Sequence, residues 1–373
     1  GKPAVEALLN HKLAYDSGPA WVAKKILQKR RVIAVAGTHG KTTTSSMIAW
    51  ILEYAGLKPG FLIGGIPENF GYSARLGGSE WFVIEADEYD SAFFDKRPKF
   101  IHYPAEILVL NNLEFDHADI YPNLAAIQQQ FHYLLRNVPS EGKVICAARD
   151  ESLKTVIEQG CWSSIAYFDA ETADWQAKAL NTQGSEFAIF YRQQRMGEIR
   201  WNLLGKHNQH NALAAIAAAN AAGVAPGLAC AALSQFKNVK RRLELRAENK
   251  GIKLYDDFAH HPTAIATTLA GLRAQIGQQR LIAILECGSN TMKLGAHAGA
   301  LAESLTIADK IIFLRPQSDW GIEAIAAVLG EKASVVNSVP EIVIEVAQML
   351  QPGDQLLVMS NKSFDNLIEQ LAA

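Results

Sequence analysis

Several short stretches of this chain carry residues able to handle a phosphorylated substrate. The densest is Gly37-Thr38-His39-Gly40-Lys41-Thr42-Thr43. Glycines let backbone N–H groups approach phosphate oxygens, and a helix N-terminus adds positive potential. Lys41 then bridges the outer phosphates, and the Thr42 hydroxyl is available to Mg²⁺. The spacing is the short Gly-x-x-Gly-Lys-Thr form, because the first glycine of the longer phosphate loop would fall at Val35. Two acidic stretches follow, Glu85-Ala86-Asp87-Glu88 and Asn111 to Asp119 with His117 at its centre. Carboxylates at the end of a buried strand, downstream of a phosphate loop, are where a Mg²⁺-binding or water-orienting group belongs. Glu85 fits that place. His117, set among acids at a second strand end, reads as another metal position, against the ordinary alternative of a structural histidine.

Further along, Gly205 to Asn211 (GKHNQHN) places amides at a helix start, where they serve either as caps or as ligand contacts. Asp256 to Thr263 (DDFAHHPT) gathers two acids and the His260-His261 pair at another strand end. The two histidines are adjacent rather than four apart on a helix, so a zinc pair is not expected there. Glu286 to Met292, containing Ser289, Asn290 and Thr291, and the run Ser360-Asn361-Lys362-Ser363 end two later strands; they are candidate walls for a second substrate.

These stretches need elements to hold them. Val32–Ala36 is a β-branched apolar run that predicts a strand, with a helix over 42–54 behind the glycine turn. Further strands are predicted at 61–63, 81–84, 107–110 and 143–147, and a helix at 125–136. Residues 64–78, rich in glycine, read as a loop over the site. Between 152 and 201 the signals weaken to short runs at 165–168, 187–191 and 199–203, which suggest edge strands. An alanine-dense helix is predicted from Gly205 to about Ala222. Past the basic connector 237–244 the pattern becomes regular. Strands at 252–255, 281–285, 311–314, 334–336 and 355–359 alternate with helices from about 262, near 296–305, and at 321–329, 341–350 and from 363. Such alternation argues for a second, mostly parallel sheet. The expected fold is therefore α/β, a central P-loop ATPase-like domain with a mostly parallel sheet plus a C-terminal Rossmann-like α/β domain. The expected domains are 31–239 and 240–373, with 1–30 as the remnant or linker of a preceding domain.

The totals exclude other classes. A chain of 373 residues, 49% hydrophobic, holds two or three domains. A net charge of −2 leaves no footprint for nucleic acid or anionic lipid, and no apolar run reaches the ~20 residues of a membrane span. Four scattered cysteines in no metal-ligand spacing are simplest in a reduced, cytoplasmic chain.

In that order GTHGKTTT, EADEYD, NNLEFDHAD, GKHNQHN, KRRLE and DDFAHHPTAI resemble the Mur ligase family. EADEYDSAFFDKR and SNTMKLG are nearest to the branch that ligates a recovered tripeptide. The resemblance implies an ATP-dependent, Mg²⁺-requiring ligase of peptidoglycan recycling. It would join the muramoyl carboxylate of UDP-N-acetylmuramate to L-alanyl-γ-D-glutamyl-meso-diaminopimelate through an acyl phosphate. A ligase using L-alanine, or an inactive nucleotide-binding relative, is the alternative. Carried over by motif, Lys41 and Thr42 hold phosphates and one Mg²⁺, and Glu85 and His117 serve Mg²⁺. Asn208 and Asn211 contact adenine, Arg242 the γ-phosphate, and Asp257 the ribose or nucleotide, so that domain closure completes the site. Three departures stand out. No lysine lies between Glu114 and Gly142, which excludes the carbamylated lysine that several relatives use. Glu286-Cys287-Gly288 lacks an arginine expected in this branch. The family's N-terminal UDP-gripping domain would correspond here only to a final turn near Lys2–Pro19, so that ATP binding is expected and a weak hold on the UDP-sugar.

Overall fold

The computed structural model describes residues 1–286, 298–316 and 321–372. The strands fall into two sheets. The first contains β1 (Arg31–Ala36), β2 (Gly60–Leu62), β3 (Ala74–Arg75), β4 (Trp81–Glu85), β5 (Ala105–Leu110), β6 (Lys143–Ala147), β7 (Ser164–Phe168), β8 (Trp175–Ala179), β9 (Glu186–Tyr191) and β10 (Gln194–Arg200). Their order is β10-β9-β8-β7-β6-β5-β1-β4-β2-β3. From β2 to β8 the pairings are parallel, and only β3, β9 and β10 join antiparallel. Val32 to Ala36 have no exposed surface, as expected for a central strand covered on both faces.

Two helices fix the glycine turn after β1. Lys41–Tyr54 starts at Gly40, whose φ of 77° only glycine adopts at little cost. It packs against Lys206–Ala221, whose buried residues include Ala212, Ala214, Ala215 and Ala217–Ala219. Small side chains let the helices approach closely, and a helix apolar nearly all round belongs in the interior.

The second sheet contains β11 (Glu244–Asn249), β12 (Ile252–Asp257), β13 (Leu281–Glu286), β14 (Lys310–Leu314), β15 (Ala333–Val336) and β16 (Gln355–Met359), in the order β11-β12-β16-β13-β14-β15. All its pairings are parallel except β11 with β12. Alternation along the strands feeds two cores. Leu281, Ala283 and Leu285 face helices Pro262–Ile276, Ala298–Ser304 and Ile322–Leu329, whereas Ile282 and Ile284 face Val339–Met349 and Leu367–Ala372. β16 lies between β12 and β13, so the crevice at their carboxyl ends brings Asp257, Glu286 and Ser360 to one side.

The differences from expectation lie mostly where periodicity is short. Helices Glu151–Glu158 and Pro226–Leu233 and strands β3, β8 and β11 have no counterpart in the sequence reading. β11 reads ELRAEN, a charged edge strand without an apolar face. The strand expected over 199–203 is instead β10, ending at Arg200. The expected terminal helix from Ser363 begins as a 3₁₀ turn, Phe364–Asn366, with Asp365 at φ 46°, and becomes α-helical at Leu367. Residues 1–30 form helices Pro3–Asn10 and Gly18–Lys25 and a turn that buries Leu27 in the first core. Among the described residues no helix is long and apolar enough to cross a membrane.

Candidate active site

A cleft of about 1830 Å³ runs between the phosphate loop and the carboxyl edge of the second sheet. Thr38 to Thr43, Glu85, His117, Asn208 and Asn211 border it from the first sheet's side, and Arg242, Asp257, His260, His261 and Asn361 from the other. Two described candidates do not border it. Gly37 lies beneath the loop, where a Cβ would meet the Asn112 carbonyl oxygen at 3.0 Å. Ser360 is buried, its hydroxyl donating to Glu286. Ser289, Asn290 and Thr291 lie outside the described residues.

The loop is braced from below by asparagines. His39 N donates to Asn112 Oδ1 at 2.7 Å, and Asn111 Nδ2 donates to the His39 carbonyl at 3.0 Å. Asn211, nearly buried, accepts through Oδ1 from Thr44 Oγ1 at 3.2 Å and from Asn111 Nδ2 at 3.0 Å. A Cβ on Gly40 would sit 2.4 Å from Asn211 Oδ1, so glycine is required there by contact as well as by φ. Asn208 Nδ2 donates to the Leu204 carbonyl at 2.8 Å and lies 3.1 Å from His207 Nε2. The two amides expected to act together thus differ: Asn211 supports the loop, and Asn208 tethers the start of its own helix.

Lys41, Glu85 and His117 come together through a residue that the sequence reading passed over. Lys41 Nζ donates to the Gly37 carbonyl at 2.6 Å and is 2.8 Å from Glu88 Oε2. His117 Nε2 lies 2.8 Å from Glu88 Oε1. Glu88 is 2% exposed and its carbonyl accepts from Tyr121 Oη at 2.6 Å. Burial alone would lower the His117 pKa, but the bond to Glu88 and its charge outweigh it and the value is raised. Lys41 follows the same balance, with burial opposed by Glu88 and Asp87, and ends raised. Part of the signal for Glu88 was available, since it is the fourth residue of the same acidic run; its contact with Lys41 was not. Beside this clamp, Thr42 Oγ1 donates to Glu85 Oε1 at 3.0 Å and Gly64 N donates to Glu85 Oε2 at 2.7 Å. Hydroxyl and carboxylate oxygens side by side, with Asp87 and Glu88 next in the chain, are the hard donors that suit Mg²⁺.

On the opposite wall Asp257, 5% exposed, accepts from Leu243 N and Ala259 N, both at 2.7 Å. Burial pushes its pKa up, against the pull of Arg242. The Arg242 guanidinium lies over the Phe258 ring, 5.0 Å from its centroid. His207 is lowered to about 4 by burial and then by the charge of Arg242. His260 is lowered by burial, and its Nδ1 lies 3.0 Å from the Phe258 carbonyl oxygen. His261 caps helix Pro262–Ile276 by accepting from Thr263 N at 3.3 Å.

A phosphate loop on a parallel sheet, faced across a cleft by an arginine and a buried aspartate from a second α/β sheet, defines a two-sheet P-loop enzyme. The chain belongs to the Mur ligase family: the Mur ligase middle domain matches residues 35–219, and the Mur ligase, glutamate ligase domain matches residues 241–362. It is 51% identical, over all of its length and 81% of the relative's, to the UDP-N-acetylmuramate–L-alanyl-γ-D-glutamyl-meso-2,6-diaminoheptandioate ligase of Escherichia coli (strain K12). Identity to the UDP-N-acetylmuramate–L-alanine ligase of Roseiflexus castenholzii is lower, 34%, over 88% of this chain and 73% of that one. Among solved structures, a murein peptide ligase of Psychrobacter arcticus superposes with a TM-score of 0.76 at 42% identity, covering 100% of this chain and 82% of that one. Like its relatives, the chain is an ATP-dependent amide-bond-forming ligase of the Mur type.

Proposed function

We propose that this chain ligates UDP-N-acetylmuramate to the tripeptide L-alanyl-γ-D-glutamyl-meso-2,6-diaminoheptandioate in peptidoglycan recycling, in a reduced cytoplasmic compartment. The observation that carries the chemistry is the meeting of Lys41, Thr42, Glu85 and His117 with Arg242 and Asp257 across one cleft. The identity to the Escherichia coli ligase, far above that to the alanine ligase, supports the choice of amine. The three described free cysteines, Cys146, Cys161 and Cys230, agree with a reducing compartment.

In this reading the chain divides at about 239/240, and each part supplies one wall. The muramoyl carboxylate attacks the γ-phosphorus of ATP, breaking the bond to the β–γ bridging oxygen and releasing ADP. The tripeptide's α-amine, having lost a proton to solvent or base, then attacks the acyl phosphate carbon and expels inorganic phosphate. Phosphoryl transfer of this kind depends on positioning and charge neutralisation. Lys41 neutralises the outer phosphates once it is released from Glu88. The N–H groups from Gly40 to Thr43 cradle them, those of Thr38 and His39 being donated to Asn112, and Arg242 balances charge on the moving phosphoryl group. Asp257, with both oxygens held by backbone N–H groups, is presented rigidly to the nucleotide. Asn208 and Asn211 border the adenine side. His260, His261 and Asn361 lie on the peptide side in this assignment, Ser360 would act from beneath it, and Ser289, Asn290 and Thr291 are assigned to the peptide from the sequence alone. Thr42, Glu85 and His117 would hold Mg²⁺, which supplies charge neutralisation of the phosphates.

A phosphate-release assay tests the reading. Release that requires ATP, UDP-N-acetylmuramate and the tripeptide together is the expected result. Equal release when L-alanine replaces the tripeptide would assign the other branch, and no amine-dependent release at all would remove the ligase assignment.

A further inference from the structure

The sequence argues against zinc at His260-His261, but the fold takes His261 to two partners far away in the chain. His39 comes from the phosphate loop, Glu114 from the segment after β5, and His261 from the N-cap of helix Pro262–Ile276. Their ligating atoms all lie within 4.8 Å of one another. Glu114 Oε2 is 3.5 Å from His39 Nε2 and 3.6 Å from His261 Nδ1. Tetrahedral bonds of about 2.0–2.1 Å place donor atoms roughly 3.3–3.4 Å apart, so these separations are near those of a metal-bound triad.

The protonation states suit a cation as well. Glu114 turns one carboxylate oxygen, Oε2, towards both imidazoles. His261 Nδ1 accepts a backbone N–H, and an accepting nitrogen carries no proton, which is the form that ligates a metal. His39 Nε2 is buried without a hydrogen-bond partner. Thr263 Oγ1 donates to Glu114 Oε2 at 2.7 Å, an outer-shell bond that orients the carboxylate. All three side chains border the cleft, which leaves a fourth position open to water or an anion.

We propose that His39, Glu114 and His261 form a site for a divalent transition-metal ion of the zinc class, separate from the Mg²⁺ positions at Thr42, Glu85 and His117. Two imidazoles among three ligands favour Zn²⁺ or Co²⁺ over Mg²⁺, which prefers mostly oxygen ligands in octahedral array. Two ligands come from the first sheet's side and one from the second's, so the bound ion clamps helix Pro262–Ile276 against the phosphate loop. The ion would take the place of the long Thr263 N bond at Nδ1.

The test is a Co²⁺ titration of the nucleotide-free, 373-residue chain followed by visible absorption, with Zn²⁺ as competitor. One equivalent of Co²⁺ with the intense bands of a four-coordinate site, displaced by Zn²⁺ and unaffected by excess Mg²⁺, is expected. His261→Ala and Glu114→Gln should each weaken Zn²⁺ binding at least about 10-fold, while His260→Ala keeps it. Absence of stoichiometric uptake by the wild-type chain overturns the site. So does equal affinity in the wild type and both variants, or a loss in His260→Ala matching that in His261→Ala. Circular dichroism establishes that each variant is folded; if His261→Ala is not, the wild-type spectrum and Glu114→Gln decide.

Discussion

On the wall built by the first sheet, Lys41, Thr42 and His117 each already meet a carboxylate of the 85–88 segment, whereas across the cleft the Arg242 guanidinium rests on the Phe258 ring. The first wall is an electrostatically closed unit. Its cations are held by Glu88 and its hydroxyl by Glu85, so an arriving phosphate exchanges for a partner already in place. The second wall offers Arg242 without a carboxylate partner among the described residues, beside an Asp257 whose oxygens are spent on backbone N–H groups. Preorganised contacts cost little reorganisation at the moment of reaction, while a cation with no carboxylate to leave is free to respond to charge as it develops. On the proposed assignment of the site, the contrast gives ground-state holding to the first wall and transition-state response to the second.

Four substitutions would break or sharpen that contrast. Lys41→Ala should lower turnover by about 100–1000-fold, because no other cation of the loop reaches the same point; near-normal steady-state rates would contradict it. Arg242→Ala should lower kcat by about 100-fold yet change stability by less than ~1 kcal/mol, since it gives up a ring contact and no ion pair, and loses an attraction to Asp257 while relieving a repulsion on His207. A urea midpoint that fell along with kcat would show that the charges of the second wall are tied into the fold as firmly as those of the first. Glu88→Gln should do the reverse and cost about 3 kcal/mol of stability, by leaving Lys41 a buried charge without its counter-ion. Added ATP should restore part of that loss, and a urea titration that does not respond to nucleotide would separate Glu88 from the phosphate site.

The remaining effect, confined to acid pH, concerns His207, which borders the cleft. Its folded pKa, about 4, lies below the ordinary imidazole value, so the unfolded chain binds the proton more readily. The stability this contributes is present above about 6.5 and is lost as pH falls from there towards 4, on the order of 3 kcal/mol at most. His207→Gln should flatten the pH dependence of the unfolding free energy in that window; an unchanged slope would place the acid sensitivity elsewhere.

Much of the frame was legible in the residues. β1, the glycine turn and the helix behind it follow from a β-branched run, two glycines and a helix-forming segment in immediate succession. The alternation past Glu244 is equally local, because strands covered on both faces must read as apolar runs. What escaped were elements with too little periodicity, such as β8, the polar edge strand β11 and the eight-residue helix Pro226–Leu233. Within the site, Thr38 to Thr43, read from the glycine motif, and Glu85 and His117, read from strand ends, do border the cleft. Glu88 was missed because its importance depends on a contact with Lys41, 47 residues earlier in the chain. Asn211 was expected beside Asn208 in one role, yet only the packing of its helix on the phosphate loop separates the two.

The chain by itself determined the phosphate loop, the order of the motifs and the α/β alternation, since each is written in residues near one another and backbone geometry translates them directly. Tertiary structure alone decided which charges are paired. Lys41 and Glu88 are 47 residues apart, and His39 and His261 lie on different sheets' elements with ring centroids only 4.6 Å apart. Pairing of that kind depends on where two sheets come to rest against each other, and no local pattern encodes that distance.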